Sequence, residues 1–170
     1  MEIDQKMKTA LKAGLPGFQP VLPDHTADIL CAFGQAVIEQ NKVMNLTAIT
    51  DPVQVAKLHL LDSLTLTRCL DLKGKRLIDV GCGAGFPGVP LLILRDDITV
   101  TLLDGLNKRL TFLDALKNAL GLSGRVALLH ARAEDAGRDP AHRGKYDVAL
   151  TRAVASLPVL LELTVPLLRV

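Results

Sequence analysis

The sequence predicts an α/β fold built on a parallel sheet, and three observations carry that expectation. From residue 76 onward, short apolar runs alternate with stretches of helical spacing. A glycine-dense turn, Gly81-Cys82-Gly83-Ala84-Gly85, follows the first of those runs. The 170-residue chain is 49% hydrophobic and 22% charged, which is enough apolar material for a real core. Strands joined through helices pair in parallel, by right-handed crossovers.

Taken in order, residues 1 to 20 are basic, with glycine and proline at their end. From Asp24 to Val43, the residues Ile29, Leu30, Phe33, Val37 and Ile38 recur at helical spacing. Asp51-Pro52 starts a second helix, expected to run to Leu70. The runs RLIDV (76–80), ITVTLLD (98–104), RVALLH (125–130) and YDVALTR (146–152) read as strands. Helices are expected at about 87–94, 107–120, 133–137 and 156–163, between and after them. The chain thus divides into an N-terminal helical extension, 1–72, and a sheet-bearing core, 73–170, in one structural unit.

Composition narrows the function classes. A net charge of +2 does not mark a nucleic-acid binder and does not exclude one, because local patches matter more than the sum. Aromatics are 3% with no Trp, which argues against a stacking platform for single strands. Cys31, Cys69 and Cys82 form neither a disulfide framework nor a zinc pattern, so a reducing compartment, the cytoplasm, is expected. His25, His59, His130 and His142 show no metal-ligand spacing. No signal peptide or bilayer-spanning run is read, so no membrane partner is expected.

The glycine turn closes the first strand and opens a helix, at the end of a parallel sheet where ligands bind. A dinucleotide fingerprint would need glycine where Phe86 stands. The pattern is instead Asp79-x-Gly81-x-Gly83-x-Gly85. An acid two residues before the first glycine repels a pyrophosphate and attracts an ammonium group. S-adenosylmethionine offers an ammonium, a carboxylate and a sulfonium, and bare glycine backbone lets its methionine part lie close. The second strand ends at Asp104, which can accept both ribose hydroxyls of an adenosine. Capping of the helix that follows is the structural alternative for Asp104. For Asp79 the alternative is a buried structural acid, and Cys82 reads as a small filler residue.

These residues also carry a family resemblance. NKVMNLTAITDP (41–52), HLLDSL (59–64), DVGCGAGFPGVPL (79–91), LLDGLNKRLTFL (102–113), ARAED (131–135) and TRAVASL (151–157) occur in order. The series resembles the glucose-inhibited division protein B family, the bacterial 16S ribosomal RNA guanine-N7 methyltransferases. One departure is Gly105, where the family commonly has Ser. The resemblance implies a Rossmann-like, class I S-adenosylmethionine-dependent methyltransferase sheet. It implies a cofactor site of Asp79, Gly81, Gly83, Gly85, Phe86, Asp104, Ala133, Glu134 and Arg152. Ala133 and Glu134 would hold the adenine end. It implies 16S ribosomal RNA or the small ribosomal subunit as partner. Guanine N7 has a free lone pair, so proximity and in-line orientation suffice, with no general base, covalent intermediate or metal. Asn45, His59, Ser63 and Arg152 are candidates to orient the guanine; the alternative is that they tie the helices to the sheet. Phosphate contacts would come from Lys6, Lys8 and Lys12, from Lys73, Lys75 and Arg76, and from Lys108 and Arg109.

Two other functional classes stay open: a methyltransferase of another substrate on the same fold, and an inactive RNA-binding or assembly module. Methyltransferases of this fold usually have seven strands, and four are read here. The C-terminal strands are therefore expected to be missing. YDVALTR would then be an open edge, giving a less stable chain that self-associates through it.

Overall fold

The computed structural model describes residues 2–18 and 25–169. Helix α1 (Glu2–Gly14) and helix α2 (Thr26–Met44) come first. Helix α3 (Pro52–Val55) widens into a π-helical turn over Ala56–Leu61 and continues as α4 (Asp62–Leu64) and a 3-10 turn, Thr65–Arg68. Then β1 (Arg76–Val80), α5 (Gly88–Leu94), β2 (Thr99–Asp104), α6 (Asn107–Ala119), β3 (Val126–His130), α7 (Ala133–Ala136), β4 (Val148–Thr151) and α8 (Leu157–Thr164) alternate.

The strands form one sheet in the order β3-β2-β1-β4, and every pair is parallel. The chain steps outward from β1 to β3, then returns to the other side of β1. The order therefore reverses between β1 and β4, and a crevice opens there at the carboxyl ends of the strands. Asp79 pairs with Leu102 on one side and Leu150 on the other, which sets it in the middle of the sheet beside that crevice.

Strand alternation sorts the core into two layers. Leu77, Val100, Leu102 and Leu150 share a large apolar layer with Leu11, Leu30, Phe33, Leu60, Leu91 and Leu113 from the helices. Ile78, Val80 and Leu103 join a thinner layer with Ala133, Ala136, Tyr146 and Leu167. Each fully buried leucine contributes about 1.5–3 kcal/mol, so the helices before residue 72 are held by the first layer and belong to its core.

The four strands and the helices between them fall where the apolar runs place them, with small differences at the ends. Helix α1 was not legible in its basic, glycine-flanked sequence. Met7 and Leu11, four residues apart among the lysines, are buried, and Leu15 continues the spacing in the turn that follows. The second helix begins at Thr26 and extends one residue past Val43; Asp24 lies outside the described residues. The helix from Pro52 is capped by Asp51, whose Oδ1 accepts from the Gln54 amide at 2.9 Å. It ends at Arg68 and not Leu70, where the Arg68 guanidinium turns away to the Gly17 carbonyl at 2.8 Å and over the Phe18 ring.

β4 is shorter than the apolar run predicts. Tyr146 leaves the ladder to bond Leu167 and Arg169, and Ala153 turns the chain with a positive φ of 56°. Among the described residues, no strand pairs with β4 along its far side; the bridge of Tyr146 to Leu168 lies before it. Leu157 and Leu161 of α8 are exposed, as expected of a helix that covers little sheet. Val170 lies outside the described residues. Among the described residues, no helix is long and apolar enough to cross a membrane.

Candidate active site

A cleft of about 520 Å³ opens at the crevice between β1 and β4, within the usual range of small-molecule sites. Its walls come from three parts of the chain. The glycine turn contributes Gly81, Cys82, Gly83, Ala84 and Phe86; the N-terminal part contributes Leu46 and Thr47 from the loop after α2 and Leu58, His59 and Asp62 from the next helix; Arg109, Arg152 and Ala153 complete it.

The turn needs glycine for two separate reasons. Gly81, Gly83 and Gly85 all have positive φ, 69°, 54° and 98°, a region that side chains rarely enter. At Gly85 a Cβ would also meet Val89 at 2.7 Å and Leu113 at 3.0 Å, so the turn is packed as well as bent. The backbone amides of Gly81 and Cys82 both donate to the Leu103 carbonyl, which ties the turn to β2.

Two acids anchor the turn from behind. Asp79 is completely buried, and its Oδ2 accepts from the Gly88 amide at 2.9 Å, at the first residue of α5. Its Oδ1 is buried without a partner among the described residues. Burial pushes the Asp79 carboxyl up to about 7, against the pull of the Gly88 amide and the Arg152 charge, with Asp104 adding repulsion. Asp104 accepts from Gly83 at 3.0 Å through Oδ2 and from Leu106 at 2.9 Å through Oδ1, and pairs with Arg109 at 3.3 Å. Helix α6 is entered through Leu106, so Asp104 forms a local turn and a clamp on Gly83 and is not the helix cap.

The opposite wall is a stack. His59 lies on the Phe86 ring at 4.8 Å, and the Arg152 guanidinium sits 5.2 Å from the same ring. Arg152 Nη2 is 2.8 Å from His59 Nδ1 and Nη1 is 3.4 Å from Asp62, so β4 is tied to the helical layer across the cleft. Burial holds His59 below the usual histidine range, helped by the Arg152 charge, while the Leu58 carbonyl and Asp62 oppose the shift. Burial and the two nearby acids push the Cys82 thiol well up, so it stays protonated, in keeping with a filler residue.

Of the residues expected at the site, the structure brings Gly81, Gly83, Phe86, His59 and Arg152 to the cleft wall, with Asp79 and Asp104 behind the turn. Ser63 is buried and donates to the His59 carbonyl at 2.5 Å, supporting that helix from within. Asn45 is exposed and caps α2 in the left-handed conformation. Neither lines the cleft. Ala133 and Glu134 start α7, just beyond the carboxyl end of β3 and outside this cleft, with Ala133 buried and Glu134 exposed. The basic groups are spread out. Arg109 reaches the cleft, whereas Lys73, Lys75 and Arg76 lie at the amino end of β1, a strand length away.

Sequence reading missed Thr47, Leu58 and Asn41. Asn41 Oδ1 accepts from the Leu46 and Thr47 amides at 2.5 and 2.8 Å, and its Nδ2 donates to the Thr47 carbonyl at 2.9 Å. An asparagine four residues before a helix-ending Asn45 was the available signal, since its side chain can satisfy the freed amides beyond the helix.

The switch-point cleft, the acid-glycine turn and the parallel sheet define the class: the fold is that of the Rossmann-like, class I S-adenosylmethionine-dependent methyltransferases. Two solved structures share it. A methyltransferase of Thiobacillus denitrificans in complex with S-adenosyl-L-homocysteine matches with a TM-score of 0.51 and 22% identity, over 79% of this chain and 50% of that one. An O-methyltransferase of Bacillus cereus, also in complex with that product, matches with a TM-score of 0.57 and 20% identity, over 81% and 62%. Within this class the chain belongs to the GidB family, rRNA small subunit methyltransferase G, whose family profile matches residues 27–170. The ribosomal RNA small subunit methyltransferase G of Acetivibrio thermocellus is 43% identical over 169 residues, 99% of this chain and 69% of that protein. That of Desulforamulus reducens is 50% identical over 131 residues, 76% of this chain and 54% of that protein. The chain thus spans about half to two thirds of the length of these relatives.

Proposed function

We propose that this protein uses S-adenosylmethionine to methylate N7 of a guanine in 16S ribosomal RNA, on the small subunit in the cytoplasm. The observation that carries the reading is the buried Asp79, with an unpartnered oxygen, behind a glycine turn that lines a cleft of cofactor size. Membership of the rRNA small subunit methyltransferase G family supports the substrate.

The residues present fit the cofactor. Asp79 holds the turn with one oxygen, and its other, unpartnered oxygen would attract an ammonium group from behind the turn. Gly81 and Gly83 would leave the backbone bare beside the methionine part, with Phe86 as a wall, while Gly85 packs the turn against Val89 and Leu113. Asp104 would meet the ribose hydroxyls; its 3.3 Å contact with Arg109 is the weakest of its three and the one it can give up. Ala133 and Glu134 sit at the adenine end, off β3. Bound S-adenosylmethionine supplies an electrophilic methyl on its sulfonium. The chain itself supplies orientation: Arg152 and His59 stack on Phe86 and form a flat wall for a purine. Ser63 and Asn45 act behind that wall, one under His59 and one at the end of α2. Residues 1–72 are then the extension that supplies one wall of the cleft, and 73–170 the core that would hold the cofactor.

Calorimetry tests the cofactor. S-adenosylmethionine should bind and NAD should not, and Asp104→Ala should weaken binding by about 1–3 kcal/mol, since the ribose hydroxyls would lose their acceptor. Equal affinity for NAD, or an unchanged Asp104→Ala variant, counts against the site. Nucleoside analysis tests the product: small-subunit RNA from cells lacking the gene should lose one N7-methylguanine, and loss of a different base, or of none, sinks the reading. The open side of β4 and the exposed Leu157 and Leu161 of α8 further support self-association of this chain. Sedimentation velocity should show mass rising with concentration, and a monomer throughout would remove the idea.

A further inference from the structure

We infer that Thr47 is the residue that selects guanine, donating its hydroxyl proton to O6 beside the N7 that is methylated; this rests on the function proposed above. The argument starts at Arg152. A guanidinium has only donors, so His59 Nδ1, 2.8 Å from Arg152 Nη2, must accept. The Leu58 carbonyl is also near Nδ1, at 3.2 Å, but a proton there would face the guanidinium. The imidazole proton therefore sits on Nε2. That nitrogen is 2.7 Å from Thr47 Oγ1 and donates to it. The Ile49 amide donates to the same oxygen at 3.1 Å. Both lone pairs of the hydroxyl are then in use. Among the described residues no hydrogen bond takes its proton, and Thr47 lines the cleft.

The hydroxyl is thus restricted to donating. Three bonds from Asn41 hold the Leu46–Thr47 backbone, so the donor is fixed in place before any base arrives. The restriction matches the chemistry that separates the purines. Next to N7, guanine carries an acceptor, O6, and adenine a donor, the N6 amine. A donor-only hydroxyl bonds the first and meets the second donor to donor. Arg152 and His59 act here as positioning residues, through Thr47.

The test uses the whole protein on small-subunit RNA that carries guanine or 2,6-diaminopurine at the target position. Diaminopurine keeps N7 and presents an amine where O6 stood. Wild type should strongly prefer guanine. Thr47→Val should lose about 10–100-fold in kcat/KM on guanine RNA, the usual scale of a lost buried hydrogen bond, and should discriminate far less between the two bases. Thr47→Ser, which keeps the hydroxyl, should retain both. Nitrogen-resolved NMR of the wild type should show His59 protonated on Nε2. A Thr47→Val protein that still discriminates, or a His59 protonated on Nδ1, overturns the assignment alone. A wild type that methylates neither RNA overturns the functional reading, and the assignment with it.

Discussion

Asp79→Asn should make the protein more stable at pH 8 and, at the same time, a poorer cofactor binder. The carboxyl titrates near 7 in the folded chain and near 3.9 when unfolded. Between those values the folded state holds the proton that the unfolded state has lost. Stability therefore falls as pH rises from about 4 to about 7, and stays low above that. The stability lost by pH 8 is on the order of a few kcal/mol. Asparagine still accepts from the Gly88 amide and carries no charge, so it escapes this loss. Urea unfolding should show Asp79→Asn ahead of wild type at pH 8, with the gap closing only as pH falls to about 4; a difference that does not change with pH would rule out the titration of Asp79 as its source. Binding runs the other way. A cofactor ammonium favours the ionised carboxylate, so wild-type affinity should rise with pH through about 7, with release of a proton visible in calorimetry. The neutral variant should bind at least about tenfold more weakly, with no such pH dependence.

Phe86→Ala should be the most damaging single truncation at the cleft. The ring is buried and packs on three groups from different elements: Phe33 of α2 at 5.1 Å, His59 at 4.8 Å and the Arg152 guanidinium at 5.2 Å. Removing a buried phenylalanine costs about 3–5 kcal/mol, a large part of the roughly 5–15 kcal/mol that holds a domain together. Chemical unfolding should show that loss. Phe86→Leu separates packing from stacking. It refills most of the volume and should recover much of the stability, yet it has no face for His59 and Arg152. Methyl transfer by Phe86→Leu should therefore fall more than its stability does. A leucine variant with full activity would mean that the ring serves the core alone.

The sheet was legible because buried parallel strands and their crossover helices have strong local signatures. RLIDV is apolar on both faces, as a central strand must be, and it became β1. The glycine turn was legible for a related reason: positive φ at Gly81, Gly83 and Gly85 is a backbone requirement that few other residues meet. Helix α1 was not legible, because its buried positions, Met7 and Leu11, are scattered among lysines and become an apolar face only against α2 and the helix after it.

The sequence by itself determined the class of the protein. Its order of strands and helices, Asp79 ahead of the glycines and Asp104 at the end of the next strand are all local along the chain. Tertiary structure decided what faces the cleft. Thr47, His59, Phe86 and Arg152 are spread over more than a hundred positions, and only the return of β4 to the side of β1 places Arg152 against His59. The same packing gave Asn45 and Ser63 supporting work and moved Thr47 to the wall. The physical reason is that strand and turn preferences act between neighbours in sequence, whereas burial, hydrogen-bond direction and a shifted carboxyl depend on groups that meet only when the chain has folded.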